Sequence, residues 1–177
     1  MHAIETYRYS DYAQWEGKWE LIDGVALAMS PAPGLLHQAI AYQIAMQLGT
    51  QVEDCEKCLV LGEADWKISE NTVLKPDVVL ICDEPNENYM TKSPELIVEV
   101  ISPSTAQRDE KYKFDIYQRE KVPFYLLAYP DECKVKLFRL KDDAFSKEGD
   151  FFTETYRFEG LSCDLEINFD QVFKRFR

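Results

Sequence analysis

Three side chains near the middle of this 177-residue sequence have the types and the order that phosphate-ester hydrolysis uses. Asp77 follows Pro76 at the entrance of an apolar run, Val78 to Cys82. Glu99 interrupts a second run, Leu96 to Ile101, and Lys113 follows with Asp109 four residues before it and Tyr117 four after. An unpaired carboxylate in an apolar strand costs several kcal/mol or is neutralised, so it calls for a metal, a cation or water beside it. Two carboxylates can hold magnesium, which takes oxygen ligands and keeps several waters. The ion lowers the pKa of an attacking water and neutralises charge on the phosphate. A lysine close by can orient that water or stabilise the developing charge. Taken singly, Glu99 is equally an acid on a wet sheet face or half of an ion pair with Lys113, and Asp77 is equally a strand-starting acid after a turn.

These residues need a sheet and a helix to bring them together. Leu96–Ile101 reads as a strand, Ser102–Thr105 breaks it, and Ser104 with Gln107 has the form of a capping box opening a helix over 105–120. On that helix Asp109, Lys113 and Tyr117 share a face. Upstream, Asp23-Gly24 between two apolar runs predicts a β-hairpin at 19–29. Ser10 is expected to cap a short helix over Asp11–Glu16. The loop Ser30–Gly34 releases a long amphipathic helix in which Leu36, Ile40, Ile44, Leu48 and Val52 recur every four residues. Further strands are expected at Cys58–Gly62, running on to Ile68, at Pro76–Cys82, at Phe124–Tyr129 and at Cys133–Leu140. Residues 141–150 read as a polar loop, Phe151–Phe158 as an edge strand and 169–176 as a helix or turn. The order predicts a mixed α/β sheet flanked by helices.

The composition, 46% hydrophobic and 13% aromatic, supports one sizeable core and a single domain over residues 1–177. A net charge of −12 is unfavourable for a surface that grips nucleic acid as a whole, so DNA contact must be local or helped by metal ions. No export signal or membrane span is expected. Five scattered cysteines fit a reducing compartment, the cytoplasm, better than a disulfide framework. The Cys55–Cys58 pair has no second such pair and only His2 and His37 to complete four ligands, so zinc is not expected there. It follows a helix rather than opening one, which argues against a redox motif. His37 reads as a surface or capping residue, Asp23 as a turn residue, and the pairs Phe151-Phe152 and Phe173 with Phe176 as core or a dimer contact.

The segments WELIDG (19–24), His37-Gln38, PDVVL (76–80), PELIVEVISPST (94–105), Asp109 with Lys113 and Tyr117, and VPFYLLAYP (122–130) resemble, in this order, the Uma-type family of putative restriction endonucleases. That family lies within the PD-(D/E)XK nuclease superfamily. The resemblance covers nearly the whole chain to about Leu140. It implies a restriction-endonuclease-like αβββαβ core, here with an N-terminal β-hairpin, and a magnesium-dependent endonuclease acting on DNA, with manganese as an alternative metal. Carried over residue by residue, it implies Asp77 and Glu99 as metal ligands, the Val100 carbonyl as a further ligand, Lys113 as the assisting lysine, and Glu20 as an added ligand or a residue that positions water. The general superfamily pattern puts its lysine two residues after the strand acid, where this chain has Ile101. The Uma-type family puts it on the helix, where Lys113 stands, with Lys111 the fallback. A symmetric homodimer is expected by analogy with double-strand cutting. The rival expectation is a non-catalytic interaction or regulatory module that keeps the fold, with Glu99 and Lys113 reduced to an ion pair.

Overall fold

The structure, a computed structural model, describes residues 5–29 and 33–177, so Ser30–Ala32 of the expected loop lie outside the described residues. In chain order, α1 (Tyr9–Tyr12) precedes β1 (Trp19–Ile22) and β2 (Val25–Ala28). Then come α2 (Leu35–Gln51), β3 (Cys58–Gly62), β4 (Trp66–Ser69), β5 (Thr72–Leu74), β6 (Val78–Cys82) and β7 (Leu96–Val100). A π-helical stretch, Arg108–Lys113, runs into α3 (Phe114–Arg119). Next are β8 (Phe124–Tyr129), β9 (Lys134–Lys141), β10 (Ala144–Phe151), β11 (Thr155–Phe158), β12 (Leu165–Asn168) and α4 (Phe169–Phe173). The main sheet has the order β10-β9-β8-β7-β6-β3, and β1, β2, β4 and β5 form a second sheet, β2-β1-β5-β4. Among the described strands, β7 and β8 are the pair that runs in parallel, and the helix containing Lys113 is the crossover that such a pair requires.

Apart from Glu99, β7 is apolar throughout because both of its faces are covered. Leu96, Val98 and Val100 face a core shared with Ile40, Ile44 and Leu48 of α2, while Ile97 and the following Ile101 face a second core built on Trp66, Tyr117 and Tyr125. Glu99 therefore stands in the row of Ile97 and Ile101, on the α3 side of the sheet. The α2 residues expected to be apolar do the work assigned to them, each fully buried aliphatic side chain contributing about 1.5–3 kcal/mol.

The hairpin forms as expected. Asp23 (φ 49°) and Gly24 (φ 81°) both take the left-handed region that a type I′ turn needs, and a Cβ at Gly24 would sit 3.1 Å from Cβ of Thr6.

Several expectations are corrected. Residues 141–150 are not a loop: they hold the turn Asp142-Asp143 (φ 47° and 67°) and β10. Most β10 side chains face water, so the strand lacks the apolar alternation that would reveal it. The expected edge strand 151–158 splits, Phe151 ending β10 and 155–158 forming β11 of a separate ribbon with β12. β3 stops at Gly62, and Trp66–Ser69 joins the smaller sheet. Ser104 does not cap the helix. The turn is closed by Thr105, whose Oγ1 accepts from the Ser102 N–H at 3.2 Å. Ser10 lies inside α1, which starts at Tyr9. The cysteines are not scattered thiols: Cys55 is joined to Cys163 and Cys58 to Cys82, and Cys133 is the free one among the described residues. No helix of the described residues is long and apolar enough to cross a membrane.

Candidate active site

At one end of β7 the two sheets, α2 and the helix after β7 enclose an open cleft of about 310 Å3. Asp77, Glu99, Val100, His37, Arg108 and Lys113 are among its lining residues. Asp77 enters from the bend before β6, with its side chain 12% exposed. Its Oδ2 accepts from the Val100 backbone N–H at 2.7 Å and lies 3.2 Å from Nε2 of His37, a residue of the first turn of α2. These contacts fix one oxygen and leave Oδ1 without a protein hydrogen-bond donor among the described residues. Glu99 is held in the same way. Its Oε1 accepts from Lys113 Nζ at 2.9 Å and from the Tyr117 hydroxyl at 2.7 Å.

Behind this row lies a buried ionic cluster. Lys113, 1% exposed, sends its ammonium to Glu99, to Glu20 Oε1 at 2.8 Å and toward Asp109 Oδ1 at 3.5 Å. Glu20 is fully buried because β1 is sandwiched between β2 and β5. Its Oε1 also accepts from the Lys75 N–H at 2.9 Å. Arg108 Nε approaches Glu20 Oε2 at 3.5 Å and Asp109 Oδ1 at 3.8 Å, too far or too oblique to bond, so all three atoms stay buried and unsatisfied among the described residues. The π-helical stretch holds Arg108, Asp109 and Lys113 against this one cluster.

One ammonium cannot neutralise three carboxylates at once. Burial pushes the Glu99 carboxyl well above the usual range; Lys113 opposes this, while Asp109, Asp77 and Glu20 reinforce it. Asp109 is raised for the same leading reason. Burial works to lower the Lys113 ammonium, but Glu20, Glu99 and Asp109 outweigh it and raise it, so the lysine is charged. At His37, burial works to lower the imidazole, and the hydrogen bond and charge of Asp77 outweigh it to give a net rise.

The structure thus brings together Glu20, Asp77, Glu99, Val100 and Lys113. It leaves Lys111 exposed and outside the cleft lining. Two members, His37 and Arg108, escaped the sequence reading, and Asp109 was placed on the right face without a role. His37 is a partner of Asp77 rather than a surface residue, and its helix-start position gave no sign of that. Asp109 had a signal, its spacing from Lys113. Arg108 had none, because neighbours on an α-helix point about 100° apart.

Comparison with known proteins bears on the family and the fold. The family model Uma2, described as "Putative restriction endonuclease", matches residues 9–168. Two proteins of Synechocystis sp. (strain ATCC 27184 / PCC 6803 / Kazusa) are similar over most of their length. Uncharacterized protein slr1290 is 29% identical across 93% of this chain and 90% of its own, and uncharacterized protein sll1609 is 24% identical across 88% and 86%. A crystal structure of a putative nuclease belonging to DUF820 from Anabaena variabilis ATCC 29413 superposes with a TM-score of 0.78. It covers 96% of this chain and 99% of its own at 16% identity, which speaks for the restriction-endonuclease-like fold. With the match spanning nearly every element from α1 to β12, the chain belongs to the Uma2 family of putative restriction endonucleases.

Proposed function

We propose that this protein is a magnesium-dependent endonuclease, with manganese as an alternative metal, that hydrolyses DNA phosphodiester bonds in the cytoplasm. The observation that carries the reading is that Asp77 and Glu99 each have one oxygen pinned by protein donors and the other unclaimed, on the same cleft. The donor set fits the ion. Carboxylate oxygens, with the Val100 carbonyl as a third ligand, suit a hard divalent cation. Glu20, Asp77, Glu99 and Asp109 outnumber the cations Lys113 and Arg108 around the cleft, an acidic balance that suits a bound cation.

Bound there, magnesium would supply an acidified water and neutralise phosphate charge. The rest falls to the chain itself. The Val100 N–H and His37 hold Asp77 in orientation, and Lys113 and Tyr117 do the same for Glu99. Lys113 acts by positioning and charge balance, since its donors are turned to Glu20, Glu99 and Asp109 rather than to a water. Glu20 acts through Lys113 in the same way. Arg108 lines the cleft and is the cation placed to meet a phosphate, which is how an acidic protein makes a local DNA contact. Cutting both strands requires two such clefts, so a homodimer belongs to the reading.

The test is cleavage of single-stranded, duplex and branched DNA by the full chain with magnesium or manganese, stopped by chelation. Asp77→Asn and Glu99→Gln should each lower the rate by at least about 100-fold, since even outer partners of metal ligands are worth 10–100-fold. Failure to cut any of these DNAs with either metal would sink the reading. The close Glu99–Lys113 contact favours a second reading, a non-catalytic module. Calorimetric titration with magnesium separates the two, because a module whose carboxylates serve only Lys113 takes up no metal.

A further inference from the structure

α2 begins at the cleft with His37 and ends beside a second cluster of chemically capable side chains. With a rise of about 1.5 Å per residue, the fourteen steps from His37 to Gln51 put the far end of α2, beside that cluster, about 21 Å from the first site. Four of the five cysteines meet there, from four separate stretches: Cys55 in the turn after α2, Cys58 opening β3, Cys82 closing β6 and Cys163 just before β12. The sulfurs of Cys55, Cys58 and Cys163 lie within 4.8 Å of one another, and Cys82 is joined to Cys58. Cys58, Cys82 and Cys163 are buried and Cys55 is partly exposed.

We propose that in the reduced protein Cys55, Cys58, Cys82 and Cys163 form a tetrathiolate site for one zinc ion, a structural centre separate from the nuclease cleft. The sequence argument against zinc was a shortage of ligands beyond the Cys55–Cys58 pair, and the fold supplies the missing two. Three of the four sulfurs, drawn from both disulfides, lie within 4.8 Å of one another, and Cys82, outside that group but bonded to Cys58, would swing in to complete the four. The Cys55 and Cys58 sulfurs, which belong to different disulfides, are 3.8 Å apart. Zinc–sulfur bonds of about 2.3 Å in a tetrahedron give sulfur–sulfur edges of about 3.8 Å. Cys58 and Cys82 are direct cross-strand partners, so their side chains leave the same face of the sheet side by side.

The charge also fits. Zinc with four thiolates carries two negative charges, and Lys92 stands beside the site, its Nζ donating to the Cys82 carbonyl at 3.5 Å and the Asp83 carbonyl at 3.1 Å. The centre would tie the C-terminal ribbon, through Cys163, to β3, an edge strand of the main sheet.

The chemistry balances as follows. A dithiol reductant gives two electrons and two protons to each disulfide and becomes a disulfide itself. Two such steps yield four cysteine thiols, and zinc binding then releases four protons.

The test is full-length protein purified under reducing conditions without chelator. Expected are one zinc per chain, four of five thiols masked until a mercurial releases the metal, and, after exchange into cobalt(II), the intense visible bands of a tetrahedral cobalt thiolate. Cys55→Ser and Cys163→Ser should lose the metal, and Cys133→Ser should keep it. If the cysteine variants fail to fold, the cobalt spectrum of the unaltered chain still decides. Five freely titrating thiols without stoichiometric zinc, or two disulfides that persist through reduction with zinc present, would overturn the proposal.

Discussion

Replacing Lys113 with methionine keeps most of the side-chain volume and removes the ammonium that Glu20, Glu99 and Asp109 share. Removing one partner from a buried ionic cluster costs about 3–5 kcal/mol, because charges that cannot leave the interior lose their counter-ion. A domain of this kind is stable by roughly 5–15 kcal/mol. For a chain of this size about 2–4 °C of melting temperature goes with each kcal/mol, so the drop should be about 6–20 °C at pH 8. The sign of its pH dependence is fixed. Without the lysine, Glu99 and Asp109, both already raised in the folded state, lie further above the unfolded carboxylate value of about 4, so the folded state binds more protons. The deficit is therefore largest at high pH and shrinks as pH falls toward that unfolded value. Magnesium, if the cleft carboxylates bind it, should raise the variant's melting temperature by mass action. The measurement is thermal unfolding by circular dichroism from pH 5 to pH 8. A variant that melts with the parent chain at pH 8 would refute the picture of one ammonium restraining three buried carboxyls.

Three further outcomes are expected. His37→Ala removes the side-chain partner of Asp77 and should lower DNA cleavage about 10–100-fold with little loss of stability, and an unchanged rate would exclude His37 from orienting Asp77. Glu84 accepts hydrogen bonds from the N–H groups of Asn86, Thr91 and Lys92. Burial works to raise its carboxyl, and these bonds outweigh it to give a net lowering. Its contribution is thus present above the unfolded carboxylate value and lost as pH falls through the folded one. Glu84→Gln should cost about 1–2 kcal/mol at neutral pH, a difference that closes in acid, and denaturant titrations showing a pH-independent gap would contradict this. Gly24→Ala forces an alanine into the left-handed region of the hairpin turn, for about 1–2 kcal/mol, and a melting temperature equal to the parent's would show that the turn relaxes.

The site was legible where a residue type contradicted its surroundings. Glu99 in an apolar strand and Asp77 at a strand entrance stood out, and the four-residue spacing of Asp109, Lys113 and Tyr117 named the face that covers them. The depth of Glu20 was not legible, since its burial comes from the pairing of β1 with β5, about fifty residues away in sequence. The meeting of Cys82 and Cys163 with the Cys55–Cys58 pair was hidden for the same reason. β10 escaped because an edge strand gains its stability from backbone bonds to β9 and asks little of its side chains. The π-helical stretch left no local mark, and Arg108 was missed with it.

Ile101 lies two residues beyond Glu99 on the same side of the sheet, packed in one core with Ile116 and Tyr117. A lysine at that position would start from the same side of the sheet as Glu99, the side that Lys113 reaches from the helix. The strand and the helix are thus two routes to one location, and this chain uses the helical route while the strand position carries hydrocarbon. Among proteins built on this frame, the quantity to compare is the coordinate of a positive charge relative to Glu99, not the letter found in a fixed window after it. A lysine can change its address on the chain while the field felt by the carboxylate stays the same.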